Sequence, residues 1–119
     1  YVSVARQLSK RFGFKVVAIT LRESLSANDN HWSAMMYTDE KAYFSRKYPI
    51  HIVDRVGGGD SFGAGLIYAM LSGWNEQKII EFAVAASCLK HTVEGDYNMM
   101  STDEVLSLAE GNASGRVQR

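Results

Sequence analysis

The segment VDRVGGGDSFGAG, residues 53–65, sets three consecutive glycines directly against an aspartate and then opens a small-residue apolar run. Five of the chain's ten glycines lie between positions 57 and 65. Glycine permits positive φ and close approach of another group to the backbone. Glycines just before a helix leave several N–H groups free and outward-facing, and the helix dipole adds partial positive charge there. Gly57, Gly58 and Gly59 therefore read as an anion site, most naturally for phosphate.

Two other phosphate loops are excluded by inspection. Gly58 and Gly63 have the G-x-x-x-x-G-K-[ST] spacing, but Ala64 stands where the lysine is required. The G-x-G-x-x-G pattern started by Gly57 and Gly59 meets Phe62 at its third position. Asp60 then has two readings. As an acidic residue in a first helical turn it stabilises by about 0.3–1 kcal/mol. Beside a bound phosphate, however, a carboxylate repels the ligand. Its place makes sense if Asp60 takes a proton from a hydroxyl that attacks phosphorus, while the N–H groups stabilise charge on the transferred group. The physics alone leaves cap and base both open.

The elements that must position this segment follow from periodicity. Residues 1–12 place Val2, Val4, Ala5, Leu8 and Phe12 on one side of a helix that Gly13 stops. KVVAIT, residues 15–20, reads as a buried strand, and helix–Gly–strand suggests an α/β chain with a parallel sheet. Residues 21–31 are polar and read as a loop. WSAMMYT, KAYFSRKY and IHIVD give two or three strands, at least one pair antiparallel, with TDE as a turn. Helices are predicted from about Gly58 to Leu71 and over 75–91, the second apolar round most of its circumference and so sandwiched. TVEGDYN is a loop. In the last short helix Ser101 and Glu104 fit a capping box, with Gly111 after its end.

DRVGGGDSFGAGLIYAML resembles the second signature of the ribokinase-like (PfkB) carbohydrate kinases, D-x-x-G-A-G-D followed by a small-residue helix. Asp54, Gly57, Gly59, Asp60, Gly63, Ala64 and Gly65 carry the match. Gly58 replaces the usual alanine, a mild change that keeps the N–H. VVAITL resembles the strand before the family's nucleotide loop, and EFAVAASCLKHTVEGDYN the helix and loop on its adenine side. Within the family, KHTVEGDYN and the ending ASGRVQR look most like the 2-keto-3-deoxygluconate kinase branch.

The resemblance implies a three-layer α/β ribokinase-like fold, with this chain as its C-terminal nucleotide-binding part. It implies ATP-dependent phosphorylation of a sugar-acid hydroxyl, with Asp60 as general base, Gly57–Gly59 as anion hole and Asp96 as a substrate contact. Thr20, Arg22 and Val84 fall on nucleotide-side positions. The loop here is TLRES, without the family's glycines, so Arg22 either supplies charge to phosphate or is simply solvated. Mg²⁺ is expected through the ATP phosphates. A monovalent cation such as K⁺ is implied at backbone oxygens of Asp54 and Val56, although Asp54 also reads as a local cap. Fructose, ribose or a nucleoside as substrate, and a non-catalytic nucleotide-binding module, remain alternatives.

Family members are longer, with an N-terminal half that holds most of the sugar pocket and a lid. The chain has 119 residues and does not begin with Met. It is therefore expected to be a fragment, inactive or nearly so by itself, and to pair with its missing half or with a second copy. Lys+Arg and Asp+Glu balance at 13 each, which gives no signal for nucleic acid or an anionic membrane. No run approaches a membrane span. The single Cys88 reads as a buried structural thiol and points to a reducing, cytoplasmic setting. His31, His51 and His91, read as lying in a loop, a strand and a helix end, have no metal-ligand spacing.

Overall fold

The computed structural model describes residues 1–92 and 101–110. The order is α1 (Val2–Phe12), β1 (Val16–Ser24), β2 (Asp29–Thr38), β3 (Lys41–Phe44), β4 (Tyr48–His51), α2 (Gly58–Leu71), α3 (Glu76–Lys90) and α4 (Thr102–Ala109). The expected Gly111 cap lies outside the described residues. Gly13 closes α1 at φ 70° and donates to the Ser9 carbonyl. Asn75 caps α3 by accepting from the Lys78 N–H, and the Ser101–Glu104 capping box of α4 is present.

The sheet departs from the parallel expectation. Every strand pair among the described residues is antiparallel, with β2 between β1 on one edge and both β3 and β4 on the other. The β1–β2 connection spans residues 25–28 only, enough for a hairpin and too short for a parallel crossover. The polar loop expected over 21–31 is largely strand: β1 runs on to Ser24, with Arg22 opposite Trp32 and Glu23 opposite His31. Pairing along β2 overrides local polarity here, because an edge strand leaves its far end in water. His31 accordingly lies in β2, not in a loop. The TDE turn is a two-residue hairpin loop in which Asp39 and Glu40 both take positive φ, 50° and 63°.

β3 and β4 are two halves of one return strand, broken at residues 45–47. The break is satisfied by side chains: the Ser45 hydroxyl accepts from the Ala34 N–H at 3.0 Å, and Glu81 of α3 accepts from the Arg46 N–H at 2.8 Å.

Side-chain alternation sorts the sheet into two faces, giving three layers. Val17, Met35 and Tyr37 pack beneath α1 with Ala5, Val2 and Leu8. Val4 and Phe12, expected on that stripe, are exposed. On the opposite face Trp32, Ala34, Met36, Tyr48 and Ile50 meet α3, which is buried along most of its length. α2 lies across α3 at Gly65, where an added methyl group would sit 3.2 Å from Ala86 Cβ and 3.3 Å from Ala83 Cα. Of the apolar residues of α2, Phe62 and Ala69 are buried, whereas Ile67 and Met70 are exposed. Cys88 is buried, and burial pushes its thiol pKa well up. No helix among the described residues is long and apolar enough to cross a membrane.

Candidate active site

The segment leaving β4 is pinned on two sides before it reaches the glycines. Ile52 donates its N–H to the Asn28 carbonyl at 2.6 Å, and the Arg55 guanidinium donates to the Ala27 carbonyl, so the β1–β2 turn is tied to it. From the other side, the His91 carbonyl at the end of α3 accepts from the N–H groups of Val53 at 2.9 Å and Asp54 at 3.3 Å. Asp54 turns back to accept from the Val56 N–H at 2.9 Å, the local capping role. Val56 itself is exposed.

The chain then reverses at Gly57, whose φ of 82° is a left-handed conformation that a side chain would strain. α2 begins at Gly58. Of the three glycine N–H groups expected to be free, Gly58 is committed to the Arg55 carbonyl at 3.2 Å. Those of Gly59 and Asp60 have no backbone acceptor among the described residues, as first-turn helix geometry requires. Asp60 is solvent-exposed in that same first turn.

α3 supplies the floor. Ser87 donates its hydroxyl to the Gly58 carbonyl at 2.9 Å. His91, only 3% exposed, lies against Gly58 and packs its ring on Trp32 with centroids 5.0 Å apart. Its Nδ1 is 2.7 Å from the Ser87 carbonyl. A carbonyl only accepts, so Nδ1 carries the proton.

Arg22 and Arg55 both bear on this corner: with burial as the main cause and Lys90 adding to it, they lower the His91 pKa from its ordinary value, against the Ser87 hydrogen bond, which raises it. Both guanidinium groups act on His91 at the end of α3, and that of Arg55 is held by the Ala27 carbonyl. A histidine with a lowered folded pKa binds fewer protons folded than unfolded, so stability is lost as pH falls below the unfolded value of about 6.5. Thermal melts of the full-length chain carrying these residues are expected to drop below pH 6.5 more steeply than those of its His91→Gln variant; parallel pH profiles would refute this.

The structure thus brings together Gly57, Gly58, Gly59 and Asp60, and adds Arg55, Ser87 and His91; Arg22, on β1 opposite Trp32, bears on this corner through its charge on His91. Arg55 was legible inside the motif itself. Ser87 and His91 had only the i, i+4 spacing that puts both on one helix face. Thr20 is exposed on β1, two residues before Arg22 on the same face. Val84 is 0% exposed within the core cluster, so it has no surface to offer a nucleotide. Asp96 lies outside the described residues. His31 and His51 stand on β2 and β4 beside carboxylates, His31 Nδ1 3.8 Å from Glu23 and His51 Nδ1 2.8 Å from Asp29.

The family model of the pfkB carbohydrate kinases matches residues 10–103, most of the chain and all of the glycine segment. The chain belongs to the pfkB family of carbohydrate kinases. It is 51% identical to the 2-dehydro-3-deoxygluconokinase of Thermotoga maritima, whose crystal structure it matches with a TM-score of 0.91 over 93% of this chain and 34% of that one. A PfkB family carbohydrate kinase from Listeria grayi is 30% identical, with a TM-score of 0.85 over 88% of this chain and 33% of that one. Among curated proteins, a 2-dehydro-3-deoxygalactonokinase of Haloferax volcanii is 25% identical over 95% of this chain and 33% of its own length. A 5-dehydro-2-deoxygluconokinase of Clostridium perfringens is 33% identical over 43% of this chain and 15% of its own. The chain therefore spans about a third or less of the length of these relatives. The α/β fold expected for ribokinase-like kinases holds, with its sheet antiparallel as described.

Proposed function

We propose that residues 1–119 are the C-terminal nucleotide-binding part of a single kinase domain, and that the full-length protein transfers the γ-phosphoryl group of ATP to a hydroxyl of a sugar acid, 2-keto-3-deoxygluconate. The observation that carries this is Asp60, exposed in the first turn of α2 directly behind the left-handed turn at Gly57. It stands in a chain 51% identical to a 2-dehydro-3-deoxygluconokinase.

In this reading Asp60 accepts the hydroxyl proton as the oxygen bonds to the γ-phosphorus and the bond to the ADP oxygen breaks. The N–H groups of Gly59 and Asp60 and the Gly57–Gly59 turn receive the charge that develops on the transferred group. Arg22 and Arg55 hold the polyphosphate, with Thr20 beside them on β1. Mg²⁺ is carried by the ATP phosphates. The carbonyls of Asp54 and Val56, at the entry to the turn, are the candidate K⁺ ligands, and Asp96 a sugar-acid contact. The rest of the sugar pocket and the lid belong to the larger part of the domain, which would cover apolar side chains such as Leu71 at 84% exposure. A second copy is the alternative cover.

The test is ADP release by the full-length chain with 2-keto-3-deoxygluconate, fructose, ribose and a nucleoside in parallel. Turnover is expected with the sugar acid, and none from residues 1–119 alone. Faster turnover of another sugar overturns the substrate assignment; turnover by the segment alone overturns its dependence on the rest of the domain.

A further inference from the structure

We infer that His91 is a positioning residue for the glycine turn, and that it is the reason residue 58 is glycine where the family pattern carries alanine. The inference rests on the reading of Gly57–Gly59 as an anion hole. A methyl group on residue 58 would lie 2.7 Å from His91 Cε1 and 2.8 Å from Nε2, closer than non-bonded carbon and nitrogen atoms approach. The ring cannot swing away. It is 3% exposed, its Nδ1–H is held by the Ser87 carbonyl at 2.7 Å, and it packs against Trp32 with the two ring planes tilted by 58°.

The imidazole is thus a wedge between the sheet and the first residue of α2. Around it, α3 holds the turn at two further places, through the Ser87 hydroxyl on the Gly58 carbonyl and the His91 carbonyl on Val53 and Asp54. The wedge sets how far the turn sits from the sheet. It therefore sets where the Gly59 and Asp60 N–H groups aim. Substrate contacts made elsewhere do not depend on this seating, whereas donors aimed at developing charge do. The expected signature is a loss in kcat with little change in KM.

The experiment compares Gly58→Ala, His91→Ala and the double variant in the full-length chain, by steady-state kinetics, ATP titration calorimetry and thermal melts. Gly58→Ala is expected to lower kcat by about 10²-fold and His91→Ala by about 10-fold, each with KM for ATP within about threefold. The double variant is expected to exceed Gly58→Ala by about 10-fold or more, because removing the ring makes room for the methyl group. If Gly58→Ala does not fold, recovery of a folded, active protein on adding His91→Ala supports the pairing equally. Additive losses, or a double variant no better folded than Gly58→Ala, overturn it. Loss of kcat matched by an equal rise in KM makes His91 a packing residue only. Should Asp60→Asn leave turnover unchanged, the base assignment falls, yet coupling between residues 58 and 91 in kcat and in thermal stability still decides the seating.

Discussion

Asp60→Asn is expected to lower kcat of the full-length chain by about 10²-fold or more while ATP binding is retained. The two outcomes separate because the carboxylate plays opposite parts in them. As a base it must accept a proton, which the isosteric amide cannot do. As a charge beside bound phosphate it opposes the ligand, so neutralising it leaves ATP affinity unchanged or tighter. The structural cost is small, since Asp60 is exposed and loses only a first-turn charge–dipole interaction of about 0.3–1 kcal/mol. Turnover and calorimetric ATP affinity on one preparation settle it. A rate within about threefold of the parent returns Asp60 to the role of helix charge.

Phe82→Ala is expected to destabilise the full-length chain by about 3 kcal/mol, the lower part of the range for removing a core phenylalanine. Phe82 is 4% exposed on α3 and fills the seam against α2. Its ring stacks on Tyr68 at 5.6 Å and makes an edge contact with Trp74 at 5.2 Å, and Lys78 Nζ lies 4.3 Å from the centre of the indole. Tyr68 is exposed, so the seam is bounded on that side by water and not by core, which keeps the loss below the maximum. Because Gly65 of α2 approaches α3 at the same seam, a loosened seam also frees the helix that carries Asp60. Urea unfolding is expected to show a lower midpoint with an unchanged m-value. A loss under about 1 kcal/mol would mean that the seam relaxes freely and does not anchor α2.

Much of this was legible before any coordinates. Helix periodicity located α1, α2, α3 and α4, because a face or a whole circumference of apolar residues has to be buried whatever the neighbours are. The Ser101–Glu104 capping box and the Asp39–Glu40 turn were legible for a related reason: both are closed within a few residues. The glycine segment announced itself because few other arrangements use consecutive glycines before a carboxylate.

The tertiary structure decided what depends on partners distant in sequence. Arg22 and Glu23 are polar enough to read as loop, and only the register along β2 makes them strand. Val84 sits beside the expected nucleotide side in sequence, yet one face of a sandwiched helix cannot be told from another until the sheet is placed against it. The glycine substitution at residue 58 looked mild from the sequence, since its N–H is kept. It is compulsory in the structure because His91, thirty-three residues on, fills the space a methyl group would need. Sequence alone determined that a glycine turn opens α2 with Asp60 in its first turn, since backbone conformation and the helix dipole are local properties. How that turn is seated, and by which side chains of α3, was decided by packing, which is not.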